Sequence, residues 1–191
     1  MLRIIQLEEI QSLLLQVPRF VGMLEEKDTG AVPAIKAWLE KIEEALQNNR
    51  LPVVSIVAGL RGELISAERG ALLDHITIHG RLTTRKMKQA VAADVIKRTG
   101  AIVVEAIHGD KERISKAEEI CQQLIALARA KSLVVLPLEG MDHTQSLKAL
   151  WSKLSSDHDI AAGTVNIEGL VGPDDSLIVL DRTLARNTPS D

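Results

Sequence analysis

Ala101-Ile102-Val103-Val104-Glu105-Ala106-Ile107 and, further on, Leu133-Val134-Val135-Leu136-Pro137-Leu138 are two short apolar blocks rich in β-branched side chains. Between them, residues 110–131 carry Ile114, Ala117, Cys121, Leu124 and Ala128 at spacings of three and four, which line one face of a helix. Two such blocks joined by a long amphipathic helix read as a strand, a crossover helix and a parallel strand. A further helix is expected over Thr84–Thr99, ahead of the first block. The stretch therefore predicts an α/β fold with a partly parallel sheet and crossover helices.

Upstream, the first fifty residues read as an antiparallel helical hairpin. Leu7, Ile10, Leu14, Val17, Val21 and Leu24 recur at helical spacing, and Pro18 is expected to kink or divide that helix. After the Asp28-Thr29-Gly30 break, Pro33 suits a first turn, and Val32, Ile35, Leu39, Ile42 and Leu46 line a second helix ending near Asn48-Asn49. Residues 51–78 are ambiguous. Val53–Ala58 reads as a strand, yet Val57, Leu60, Leu64, Ala67 and Ala71 also fit a helix face. The preferred reading is a strand at 53–58, a helix from Ser66 to Leu73 and a strand over His75–Ile78. Downstream, a helix is expected over 144–154. Strands are expected at Thr164–Ile167 and Leu177–Leu180, with Gly172-Pro173-Asp174-Asp175 as the turn between them. The division is thus a hairpin at 1–50, an α/β domain at 51–185 and a frayed tail at 186–191.

Composition narrows the function classes. Of 191 residues 46% are hydrophobic, enough for a sizeable core and against global disorder. Cys121 is the only cysteine, so no intrachain disulfide forms and a reducing compartment is expected. Met1–Glu9 lacks the order of a secretory signal, and no apolar run reaches the length of a membrane span. The expectation is a cytoplasmic protein without membrane contact. Aromatic content of 2% argues against stacking on single-stranded nucleic acid, so nucleic acid is an unexpected partner. Charge is unevenly spread: residues 51–100 hold eight Lys/Arg against four Asp/Glu, and residues 151–191 hold three against seven.

The candidate chemistry is sparse. Asp74-His75 and His79 place two histidines four apart: on a helix this spacing could bind a metal from one face, but on a strand they lie roughly 13 Å apart, and no third ligand accompanies them beyond Asp74. No metal and no cofactor is therefore expected. His143 and His158, each beside aspartate, read as solvated polar residues at helix ends. Cys121 reads as a core thiol. Arg81, Arg85, Lys86 and Lys88 are more informative. With Thr83 or Thr84 as a cap they crowd a helix N-terminus, where the dipole disfavours cations by a few tenths to about 1 kcal/mol. Arg81, Thr83, Thr84, Arg85 and Lys88 therefore form a candidate anion site, fit for phosphate or carboxylate.

One family resemblance runs from Gly80 to Leu154. Gly80-Arg81-Leu82-Thr83 resembles the strand-ending Gly-x-Leu-Asp of the STAS domain, the module of anti-sigma-factor antagonists. Ile107-His108-Gly109 resembles its Ile-Ser-Gly, and Leu138-Glu139-Gly140 its following strand and glycine. Ser115 falls near the family's phosphorylatable Ser or Thr, although Ile114 stands where the family has aspartate. The resemblance implies protein–protein regulation without catalysis and a phospho-switch at Ser115. Together these readings lead to a non-enzymatic, cytoplasmic interaction or regulatory module that self-associates through its N-terminal helices. The alternative is a small enzyme or binding protein for a phosphorylated or acidic molecule at 81–88.

Overall fold

The computed structural model describes residues 1–71, 75–76, 83–134 and 142–186. Among these residues every regular element is an α-helix. They are α1 (Ile4–Leu14), α2 (Val17–Glu25), α3 (Ala31–Asn48), α4 (Val54–Glu68), α5 (Thr84–Ala130), α6 (His143–Ser156), α7 (Ala161–Val171) and α8 (Pro173–Arg186). The chain divides into two compact units. The N-terminal unit holds Leu2 and Ile4–His108, and the C-terminal unit holds Gly109 onward with Met1 and Arg3.

In the N-terminal unit, α3 turns Ile35, Trp38, Leu39, Ile42 and Leu46 inward, each at most 2% exposed. Burying a leucine or isoleucine this fully contributes about 1.5–3 kcal/mol. Trp38 lies against Phe20 of α2 with ring centroids 5.5 Å apart, and its indole N–H donates to the Leu13 carbonyl at 2.8 Å. Both the ring and its polar edge are thereby accommodated. On α4, Val57, Leu60, Leu64 and Ala67 face inward. Arg61 of α4 clamps Glu43 of α3 through two bonds, Nε to Oε1 at 2.6 Å and Nη2 to Oε2 at 3.0 Å. Pro18 falls in the first turn of α2, so it divides α1 from α2 as its missing N–H requires.

The C-terminal unit gathers the second part of α5 with α6, α7 and α8. Asp142 caps α6, accepting from the Gln145 N–H at 2.7 Å, and Trp151 of α6 donates to Glu168 of α7 at 2.8 Å. Gly163 of α7 faces Leu124 of α5 so closely that a Cβ there would lie 2.5 Å from Leu124 Cδ2. Gly172, at φ 84°, ends α7 in a conformation that needs no side chain, and Pro173 opens α8 at once. Asp175 in the first turn of α8 is buried and accepts two bonds from Arg3, at 3.2 and 3.0 Å. Elsewhere helices end on left-handed residues that are not glycine: Lys27 after α2, Arg50 after α3 and Ser132 after α5. Each is followed by an N–H that reaches back five residues, Asp28 to Met23, Leu51 to Leu46 and Leu133 to Ala128.

The expected α/β fold is corrected: the described residues contain no strand and no sheet, parallel or otherwise. Ala101–Ile107, expected as a strand, lies inside α5, so the two helices expected over 84–99 and 110–131 are one. The reason is visible in burial. Within the N-terminal unit Met87, Val91, Val95, Thr99, Val103 and Ile107 form a stripe buried at helical spacing straight through the block, while Val104 is 54% exposed; within the C-terminal unit Ile114, Ala117, Cys121, Ile125 and Ala128 are buried likewise. Tertiary packing on that stripe outweighs the β preference of Ile102, Val103 and Val104. The expected strand at 53–58 is the start of α4, whose inward residues follow the helical alternative already visible in the sequence. Thr164–Ile167 and Leu177–Leu180 lie within α7 and α8, and the turn between them is the Gly172–Pro173 junction. His75 and Ile76 are not strand; Ile78 and the residues 135–138 of the second block lie outside the described residues, and so do the tail residues 187–191. The strand that the STAS resemblance places at 101–107 is likewise helical, so the STAS-like frame does not carry over. The helix expected over 144–154 is α6.

Candidate functional site

α5 begins where the sequence places its cap. The Thr83 hydroxyl accepts from the Lys86 N–H at 3.2 Å, and its carbonyl accepts from Met87 at 3.0 Å. Beyond this cap, Thr84, Arg85, Lys88 and Gln89 line a cleft of about 440 Å³. The rest of its lining comes from the α2–α3 connection, with Asp28 and Thr29, from the first turn of α3, with Val32 and Pro33, and from Glu68 at the end of α4. All of these residues belong to the N-terminal unit. Three of the sequence-predicted anion residues, Thr84, Arg85 and Lys88, are thus brought into one concave surface, with Thr83 as its cap. Arg81 lies outside the described residues.

The charges around this cleft are not equivalent. Asp28 Oδ1 accepts from the Gly30 N–H at 2.8 Å, a local turn bond. Glu68 holds Lys36 at 2.8 Å. Arg85 donates to the Lys27 carbonyl, which ties the first turn of α5 to the α2–α3 connection without neutralising the guanidinium. Lys88 has no ion-pair partner among the described residues. Glu68 is thus the one ion-paired carboxylate among the described cleft residues, Asp28 keeps its charge, and Arg85 and Lys88 keep theirs beside the apolar Val32 and Pro33.

A second cluster in the same unit was not foreseen. His75 Nε2 lies 3.5 Å from Glu63 of α4 and 3.5 Å from Asp94 of α5. Arg98, one turn beyond Asp94, donates to Glu63 at 2.8 Å and to Asp94 at 3.2 Å. The hydrogen bond to Glu63 and, more weakly, the one to Asp94 push its guanidinium up against the lowering effect of burial. Glu63 and Asp94 stand far from His75 in sequence, so only the fold unites them. Sequence spacing tests neighbours such as Asp74 and His79, both outside the described residues.

The remaining candidates are dispersed. Ser115 is exposed on α5 in the C-terminal unit and is not part of the cleft. Cys121 is buried, and burial pushes its thiol up, the opposite of what a nucleophile needs. His143 contacts Asp181 at 2.8 Å and His158 contacts Asp159 at 3.3 Å, both on exposed surface. Asp157 and Asp159 instead serve Lys131, at 2.7 and 2.5 Å. Among the described residues no helix is long and apolar enough to cross a membrane. No family model, no curated protein and no solved structure matches the chain.

Proposed function

We propose that the protein is a non-enzymatic interaction module that takes an acidic segment of a partner protein into the cleft at the start of α5. The observation that carries this is the state of the cleft's cations: Glu68 is already paired with Lys36, whereas among the described residues Lys88 has no ion-pair partner and Arg85 meets a backbone carbonyl. The first N–H groups of α5 add to the attraction for carboxylates. Val32 and Pro33 give the stems of such side chains an apolar wall. Fluorescence polarisation with a labelled glutamate-rich peptide tests the reading. Binding at low salt that weakens with ionic strength and is lost in Arg85→Ala/Lys88→Ala supports it. Equal binding by the double variant overturns it.

The volume of the cleft favours a second reading, a small phosphorylated or acidic molecule, because about 440 Å³ falls in the usual range for ligand sites. A thermal-shift screen with nucleotides and sugar phosphates separates the two. Stabilisation by one such compound, abolished in the same double variant, selects the small molecule. Self-association through α1 and α2 accompanies the main reading, supported by Ile5, Leu15 and Val21, which are 63%, 79% and 41% exposed. Light scattering that finds only monomer at high concentration rejects it. The same reading places the protein in the cytoplasm, in keeping with its single cysteine.

A further inference from the structure

Glu63, His75 and Asp94 each offer one ligand atom, and these atoms lie within 4.8 Å of one another. In a tetrahedral zinc site with ligand bonds near 2.0–2.1 Å, neighbouring ligand atoms stand about 3.3 Å apart. The His75 Nε2 distances to Glu63 Oε2 and Asp94 Oδ2 are both 3.5 Å, near that spacing, and the two carboxylates lie within 4.8 Å of each other, so a metal would draw the three donors together. The donors also come from separate places in the chain, α4, the segment at residue 75 and α5, which is how a fold builds a site rather than a charged surface run.

A cation already stands at the focus. Arg98 Nη1 is 2.8 Å from Glu63, 3.2 Å from Asp94 and 3.3 Å from His75 Nε2. A guanidinium only donates, so its 3.3 Å approach to His75 Nε2 is a hydrogen bond only when that nitrogen carries the lone pair, the form that also ligates a metal. The Arg98 side chain is 39% exposed and can withdraw into solvent.

We infer that Glu63, His75 and Asp94 form a three-ligand site for a divalent transition metal of the zinc class, with Arg98 as a built-in competitor. An imidazole and two carboxylates suit Zn²⁺, and solvent supplies the fourth position. The competing arginine makes occupancy a question of metal concentration: at low metal the guanidinium neutralises the carboxylates, and at high metal it is displaced. The site stands apart from the cleft residues and does not depend on the function proposed for them.

Titration of the full chain with ZnCl2, followed by calorimetry, tests the inference. The wild type should bind one ion with a weak constant that His75→Ala removes. Arg98→Met should bind the same ion more tightly, by about tenfold, the worth of the two exposed ion pairs that the metal no longer has to break. His75→Ala in the Arg98→Met background should abolish that gain. Zinc binding that survives His75→Ala, or Arg98→Met binding no better than the wild type, overturns the assignment. Far-ultraviolet circular dichroism of each variant verifies the helical fold. Should Arg98→Met not fold, the wild type against His75→Ala still decides.

Discussion

At the start of α5, Arg85, Lys86 and Lys88 crowd the positive pole of the helix, and among the described residues Arg85 reaches only a backbone carbonyl. Just past the other end, Lys131 lies beside the negative pole and clamps both Asp157 and Asp159. The cations are alike, but their surroundings are opposed. At the C-terminal end the charge is compensated twice, by carboxylates and by the dipole, and its role is to hold the connection after α6. At the N-terminal end the dipole works against the cations and the described residues offer Lys88 no carboxylate. Charge kept at a small cost and left uncompensated is available to something else.

The largest expected effect bears on the N-terminal end. Arg85→Ala/Lys88→Ala should lower affinity for an acidic peptide by at least tenfold, about 1.4 kcal/mol. The folded state should change little, because the lost Arg85 bond to the Lys27 carbonyl and the relief at the helix pole oppose each other at about 1 kcal/mol or less each. A clear fall in the urea midpoint would show that these cations are structural and erase the contrast. Next, Thr83→Ala should cost about 1 kcal/mol by removing the hydroxyl that caps Lys86, as measured by chemical denaturation. At the opposite end, Ser132→Gly should stabilise by roughly 0.5–1 kcal/mol, because Ser132 adopts φ 56°, where glycine carries no steric penalty.

The smallest effect concerns pH. Hydrogen bonds from Lys131 hold the Asp157 and Asp159 carboxyls below their ordinary value and push the Lys131 ammonium up. The two aspartates thus contribute fully above the unfolded carboxylate value of about 3.9, and the contribution fades as pH falls through their lower folded values. Lys131 contributes below its own unfolded value and loses that contribution as pH rises through its higher folded one. Lys131→Met should accordingly flatten the acid limb of a plot of urea midpoint against pH. An unchanged acid limb would mean that the clamp is without weight in solution.

Legibility from sequence followed what each helix shows to solvent. In α3 the buried Ile35, Leu39, Ile42 and Leu46 are separated by Lys36, Glu40, Lys41, Glu43 and Glu44, so the period stands out. In α5 the buried Val103 and Ile107 are separated by Val104 and Ala106 as well as Glu105, so the stripe dissolves into an apolar block that imitates a strand. The same masking hid α7, where Val165 is 68% exposed beside the buried Thr164 and Ile167. The cleft was legible in part because a cap and a run of cations are local signals. The wall built by Asp28, Val32 and Pro33 was not, and neither was the meeting of Glu63 with His75 and Asp94, since both depend on contacts between elements.

Two glycines of α7 show how an ordinary stabilising substitution can divide. At Gly169 nothing lies within 4 Å of the methyl position, so alanine there should raise the melting temperature through helix propensity, worth about 1 kcal/mol. At Gly163 the same exchange forces the Leu124 isobutyl group out of its seat, and the crowding offsets or exceeds the gain. An engineer hardening this protein should therefore treat Gly163 as a notch cut to receive its neighbour and leave it as it stands.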